Sequence, residues 1–167
     1  MKPLVTCLWF DGTASEAVRF YTGLFANSTS GAAAAVAAEQ AGVAGQSEQE
    51  EPLVINFTIN GQAFQALNGG PHYKPTPATS FVVSCKDQAE VDHYWDALTA
   101  DGGEESMCGW LTDKYGFSWQ IVPERLEELM TTSDAETQQR VVDAFMKMRK
   151  LDIAVIEAAA TGSNSNS

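Results

Sequence analysis

Residues 61–68 read GQAFQALN, and residues 116–123 read GFSWQIVP. Each places glycine, a small residue, an aromatic, glutamine and two apolar residues in the same order, with Gln65 and Gln120 in matching positions. A motif that returns in this form is the mark of a duplicated unit, so the chain on either side of each copy should repeat as well.

It does. Thr13-Ala-Ser-Glu16 and Asp87-Gln-Ala-Glu90 both have the form of a capping box, an oxygen-bearing N-cap followed three residues later by glutamate. Ala17, Phe20, Tyr21 and Leu24 follow the first; Val91, Tyr94, Trp95 and Leu98 follow the second at the same helical offsets. A short apolar run precedes each helix, LVTCLWF at 4–10 and ATSFVVS at 78–84. Thr13 and Asp87 are 74 residues apart, whereas Gln65 and Gln120 are 55 apart, so the first half holds extra residues. Residues 31–51, GAAAAVAAEQAGVAGQSEQEE, supply them as an extended strand or loop insertion. The expected architecture is α+β, with two βαβββ modules at about 3–68 and 78–122 joined by loop 69–77. Together they fill residues 1–123.

A third capping box, Ser133-Asp-Ala-Glu136, opens a helical segment through about Lys150, with Val141, Val142, Phe145, Met146 and Met148 as packing residues. It belongs to a helical extension over 124–160, and TGSNSNS at 161–167 reads as a mobile polar tail. The apolar end LDIAVIEAA at 151–159 predicts a homodimer, because Ile153, Val155 and Ile156 would otherwise meet water.

Composition narrows the partners. Ten basic and 22 acidic residues give a formal charge of −12, which repels nucleic acid and anionic membrane surfaces. The apolar run before Asp11 is too short for a signal peptide, and no later run is long enough for a membrane span. Three cysteines without a C-x-x-C predict reduced thiols in a cytoplasmic protein.

The set CLWFDG…A…FY, ALNGGP, CGWLTDKYG-SWQIVP and LDIA-IEAA resembles the PhnB-like branch of the glyoxalase/bleomycin-resistance, or vicinal oxygen chelate, superfamily. The resemblance implies paired βαβββ modules, sheets curved around a cavity, and a dimer. Relatives of this branch often carry a ubiquinone methyltransferase label. Phe10-Asp11-Gly12-Thr13 lacks the glycine-rich loop that nucleotide-type cofactors use, so methyltransferase activity is not expected.

Metal-dependent members are similar in placing His or Glu on the first and last strands of each module. Carried over through the helix repeat, those positions fall on Leu4 and Thr6, Ala78 and Ser80, Gln65, and Gln120. Hydroxyls and uncharged amides are poor ligands for a divalent cation, so neither metal nor cofactor is expected. Thr6, Gln65, Ser80 and Gln120 instead form a polar candidate site, with Trp9 and Trp110 as aromatic walls and Asn68 and His72 at the glycine loop. Gly69-Gly70-Pro71 has no Lys-Ser/Thr after it and reads as the joint between modules, not a phosphate loop. Asp113 and Lys114 shape the turn before Gly116, and His93 reads as a solvated helix residue.

The expected function is metal-independent binding of a small organic molecule. The alternatives are a superfamily isomerase, lyase or dioxygenase with an atypical metal site, and a structural protein with a filled core.

Overall fold

The computed structural model describes residues 3–34 and 51–163. The chain divides into two compact units, Met1–Pro75 and Thr76–Ser167, with the division in the glycine loop's continuation.

The first unit runs β1 (Thr6–Phe10), α1 (Ala14–Leu24), β2 (Thr29–Ala34), β3 (Val54–Ile59) and β4 (Gln62–Asn68). Its sheet has the order β1-β4-β3-β2, with β1 parallel to β4 and the other pairs antiparallel. The second unit repeats this with β5 (Ser80–Cys85), α2 (Gln88–Thr99), β6 (Glu104–Glu105), β7 (Trp110–Thr112) and β8 (Ser118–Pro123), in the order β5-β8-β7-β6. Again the first strand is parallel to the last. This is the expected α+β fold of two βαβββ modules with mixed sheets.

Strand side chains alternate, so each sheet has two unlike faces. In the first unit Leu8, Phe10, Ile55, Phe57, Phe64 and Ala66 are buried, as are Ala14, Ala17, Val18 and Tyr21 of α1. Tyr21 stacks on Phe57 at 6.5 Å, and Phe57 on Phe64 at 5.4 Å. Each large apolar side chain so buried contributes about 1.5–3 kcal/mol. In the second unit Val91, Trp95 and Leu98 of α2 are buried together with Leu111, Trp119 and Ile121 of the sheet.

The three helix starts differ from one another. Asp87 caps α2 as expected, its Oδ1 accepting from Glu90 N at 2.9 Å while Glu90 Oε2 accepts from Lys86 N at 3.0 Å. Thr13 makes no side-chain cap. Asn68 takes over, its Oδ1 accepting from Ala14 N at 3.1 Å. The box expected at Ser133 is displaced by one residue, since Asp134 is the N-cap of the third-box helix and accepts from Thr137 N at 2.8 Å.

After β8 the chain forms α3 (Glu124–Thr132), α4 (Ala135–Phe145) and α5 (Ile153–Thr161). Leu126, Leu129, Val141, Leu151 and Ile156 make a cluster of their own, joined by Val122 of β8. The extension is tied to α2 by Gln88, which donates from Nε2 to Leu151 O and accepts at Oε1 from Ile153 N. Lys150 adds ion pairs to Asp92 and Asp96.

This cluster corrects the argument made for the apolar end of the chain. Ile156 is 0% exposed within its own unit, and Val155, at 48%, is the side chain left in water. α5 buries Ile156 in the cluster of α3 and α4 and leaves Ile153 half-buried and Val155 exposed. The expectation for residues 31–51 falls for the most part outside the described residues, and Gly31–Ala34 belong to β2. α5 reaches Thr161 and ends at Gly162, so the expected tail at 161–167 begins inside a helix terminus; 164–167 lie outside the described residues.

Asp113 organises the β7–β8 turn as expected. Its side chain is 2% exposed. Oδ1 accepts from Tyr115 N and Phe117 N at 2.9 and 3.0 Å, and Oδ2 from Trp119 Nε1 at 2.8 Å. Asp113→Ala would leave three donors without this acceptor and should destabilise the protein by about 3 kcal/mol or more in urea unfolding. A loss below about 1 kcal/mol would show that the turn holds without it.

Candidate functional site

The face of each sheet opposite its helix is the less covered one around the two glutamines and carries polar side chains there; in the second unit the helical extension reaches the end of this face at Ser84 and Val122. In the first unit Gln65 pairs with Cys7 of β1 and with Asn56 of β3, so these three share the open face. Trp9 has the same parity. Gln65 donates from Nε2 to Asn56 Oδ1 at 3.2 Å. In the second unit Gln120 pairs with Val82 of β5 and Trp110 of β7. Ser80 has the same parity, and Gln120 donates from Nε2 to Ser80 Oγ at 2.8 Å.

The structure thus brings Ser80, Gln120 and Trp110 together on one face, and Gln65 and Trp9 on another. It does not bring Thr6 to Gln65. Thr6 pairs with Phe64 and points to the helix side of the sheet. The reason is one residue in a turn. Helix caps Thr13 and Asp87 are 74 apart, but the strand positions that match by pairing, Cys7 with Gln65 and Val82 with Gln120, are 75 apart. Between strand end and cap the first unit has Asp11 and Gly12, and the second has Lys86 alone. Gly12, at φ +76°, takes up the extra residue in a left-handed conformation. A one-residue offset exchanges the faces of a strand, so the match to Ser80 moves from Thr6 to Val5, and Cys7 is the residue that stands beside Gln65.

Asn68 also lies off the open face. It pairs with Phe10, is buried, and joins Ala14 N to Pro52 O through its two amide ends. Its part is to close the sheet onto α1. The glycine pair beside it has a packing reason as well: a Cβ on Gly69 would come within 2.1 Å of the Trp9 ring. Trp9 Nε1 donates to Gly70 O at 2.8 Å, and Tyr73 packs edge-on against the indole at 4.9 Å. His72 is exposed in the turn between them. His93 is an exposed residue of α2 beside Tyr94.

The pairing also adds residues that the repeat did not single out. Cys7, Asn56 and Val82 join the open faces, and Glu104 enters through Glu104↔Thr112↔Ser118 at the sheet edge. Alternation within β6 was the available signal for Glu104, but two residues are too few to establish a period.

The donor set does not fit the metal that the superfamily's name implies. The strand residues on the first unit's open face offer amides, hydroxyls and the Cys7 thiol, whose pKa partial burial raises. The second adds hydroxyls, an amide and the carboxylate of Glu104, with Glu127 of α3 accepting from Ser84 Oγ at 3.4 Å. Among the described residues no three His, Cys, Asp or Glu side chains gather in a chelating group.

A family model described as 3-demethylubiquinone-9 3-methyltransferase matches residues 2–122. The PhnB protein of Bacillus cereus is 31% identical, with 73% of this chain covering 99% of that one at a TM-score of 0.63. The chain belongs to the PhnB-like branch of the glyoxalase/bleomycin-resistance superfamily. A protein of Pseudomonas aeruginosa shares the fold at 19% identity and a TM-score of 0.56, with 74% and 98% of the two chains covered. The fosfomycin resistance protein FosX of Listeria monocytogenes is 16% identical, with 77% and 97% covered and a TM-score of 0.49. No curated protein matches the chain. The PhnB-like match ends at the last strand, before the extension that begins with α3.

The cysteines test the assignment of faces. Cys7 is exposed, while Cys85 is buried on the helix side. Burial, then the charges of Glu90, Asp87 and Glu124, push the Cys85 thiol up to about 12. Iodoacetamide at pH 8.5 should therefore modify Cys7 at least tenfold faster than Cys85, as followed by peptide mass spectrometry. Cys7 should itself lag behind an unhindered thiol, because its raised pKa lowers the thiolate fraction. Equal rates at Cys7 and Cys85 would contradict the assignment.

Proposed function

We propose that this PhnB-like protein binds a small organic molecule on the open faces of its sheets, without a metal ion. The observation that carries the reading is the pair of glutamines, each held by a polar neighbour on a face that also presents an indole. Small-molecule sites have this composition, largely apolar walls with a few oriented polar groups. The superfamily resemblance points to His or Glu at such positions, and amides hold an uncharged or cationic group without a fixed charge of their own.

Methyl transfer, which the family model's description names, is not carried over. The Phe10–Ala14 turn is closed by Asn68, whose Oδ1 takes the first helical N–H of α1. That leaves this helix start unlike the open amide loop a nucleotide-type donor requires. The reading includes a reduced, cytoplasmic homodimer: Cys7, Cys85 and Cys108 are all free thiols, and dimerisation follows the family resemblance. No helix among the described residues is long and apolar enough to cross a membrane.

A thermal-shift screen of metabolites and antibiotics tests the proposal. A ligand that raises the melting temperature should bind more weakly to Gln65→Ala or Gln120→Ala by about 0.5–1.5 kcal/mol per hydrogen bond lost. Both variants should keep the wild-type circular dichroism spectrum. Elemental analysis returning about one metal per chain, lost in Gln120→Ala, would overturn the metal-free reading.

A further inference from the structure

An amide side chain has two unlike ends, and both open-face glutamines are held by the same one. Gln120 gives an Nε2 hydrogen to Ser80 Oγ, and Gln65 gives one to Asn56 Oδ1. Neither Oε1 accepts a hydrogen bond from another described residue. The neighbours differ, a hydroxyl of β5 in one unit and an amide of β3 in the other, yet the polarity is common to both. A molecule approaching either face meets an amide carbonyl oxygen in need of a donor.

The second unit adds two further features. Trp110 stands directly across from Gln120 on the antiparallel neighbour. Side chains so placed have Cβ atoms about 4.5–5.5 Å apart, which sets the two side chains next to each other on the face. Glu104 is the one ionisable side chain among the strand residues that share this face, none of which is a cation, and Glu127 of α3 reaches the far end of the face at Ser84 Oγ. Glu104 lies two strands across and two residues along from Gln120, about 12 Å by strand spacing and rise. A carbonyl oxygen, an indole face and a carboxylate together complement a cation that carries N–H groups. An anionic head group would instead meet Glu104 with no positive charge among the strand residues of this face to offset it.

We propose that the open face of the second unit binds a primary or secondary ammonium group borne on an apolar or aromatic body. Gln120 Oε1 accepts a hydrogen bond from the ammonium, the Trp110 indole covers it, and Glu104 supplies the charge. The inference rests on the open-face binding reading above and names its ligand class. The first unit is an internal comparison, because the strand residues that share Gln65's face include no carboxylate.

The test is a titration of the ¹⁵N-labelled full chain at pH 7 with benzylamine, benzyltrimethylammonium and benzoate. The side-chain amide signals of Gln120 and Gln65 are the reporters. Benzylamine should shift the Gln120 signals at concentrations at least tenfold lower than benzyltrimethylammonium, which keeps the ring and the charge but has no N–H. Benzoate should leave them unmoved. Gln120→Met, which removes the carbonyl at similar size, should weaken benzylamine binding about tenfold, followed at the Trp110 indole signal. Glu104→Gln should weaken it about threefold and remove most of its salt dependence, with spectral dispersion confirming the fold of both variants. Equal affinity for the two cations, or binding led by benzoate, would overturn the ammonium assignment while leaving open-face binding in place. Silence of both glutamines toward all three probes would overturn the binding reading and the ammonium assignment together.

Discussion

In each unit the first strand lies parallel to the last, and that pairing fixes the direction of every side chain in the sheet. Cys7 opposite Gln65 and Val82 opposite Gln120 are the two registers concerned. Shift either by one residue and apolar side chains such as Leu8 or Val83 would leave the helix side for the open side. The apolar faces of α1 and α2 hold the registers, because only one choice keeps Phe10, Phe64, Trp119 and Ile121 buried. The open-face amides are therefore placed by a constraint on the other side of the sheet. Chemistry can vary at the two glutamine positions at little expense to folding.

The two units keep this pairing by different means. In the first, Asn68 at the end of β4 joins the start of α1 to Pro52, and Trp9 lies over Gly69 with Tyr73 against its edge. In the second, the buried carboxylate of Asp113 gathers the β7–β8 turn onto Trp119. The helical extension then closes around Val122 and is clasped to α2 by Gln88. A duplicated topology has thus acquired separate anchors. This fits the weak likeness between the units outside their helix stripes and last strands.

The modules were legible because the signals are local: an aromatic-x-Gln motif on the last strand, and apolar offsets on α1 and α2. Asp87 was legible for the same reason, since a capping box acts over four residues. The cap at Thr13 was not, because its competitor, Asn68, comes from a strand 54 residues from the Ala14 amide that it caps. Half of the candidate site was legible too. Ser80 and Trp110 share a face with Gln120, and Trp9 shares one with Gln65. Thr6 failed because the repeat was measured at the helices and extended into the strands across a turn that is one residue longer in the first unit. Asn68 failed for the reverse reason, as its place at a strand end looked like a site rim while its amide was needed inside. The burial of Ile156 depends on α3 and α4 arriving from elsewhere in the chain, which a nine-residue window cannot convey.

What the open faces offer a ligand turns on two side-chain amides whose orientation is held from one end. Nuclear Overhauser measurements on the free protein test this most directly. The Nε2 protons of Gln120 should show contacts to the β-protons of Ser80 and to the Trp110 ring, and those of Gln65 to the β-protons of Asn56 and Cys7. Contacts from the Gln65 amide to the Thr6 methyl, with none to Cys7, would place the first strand in the other register and contradict the account.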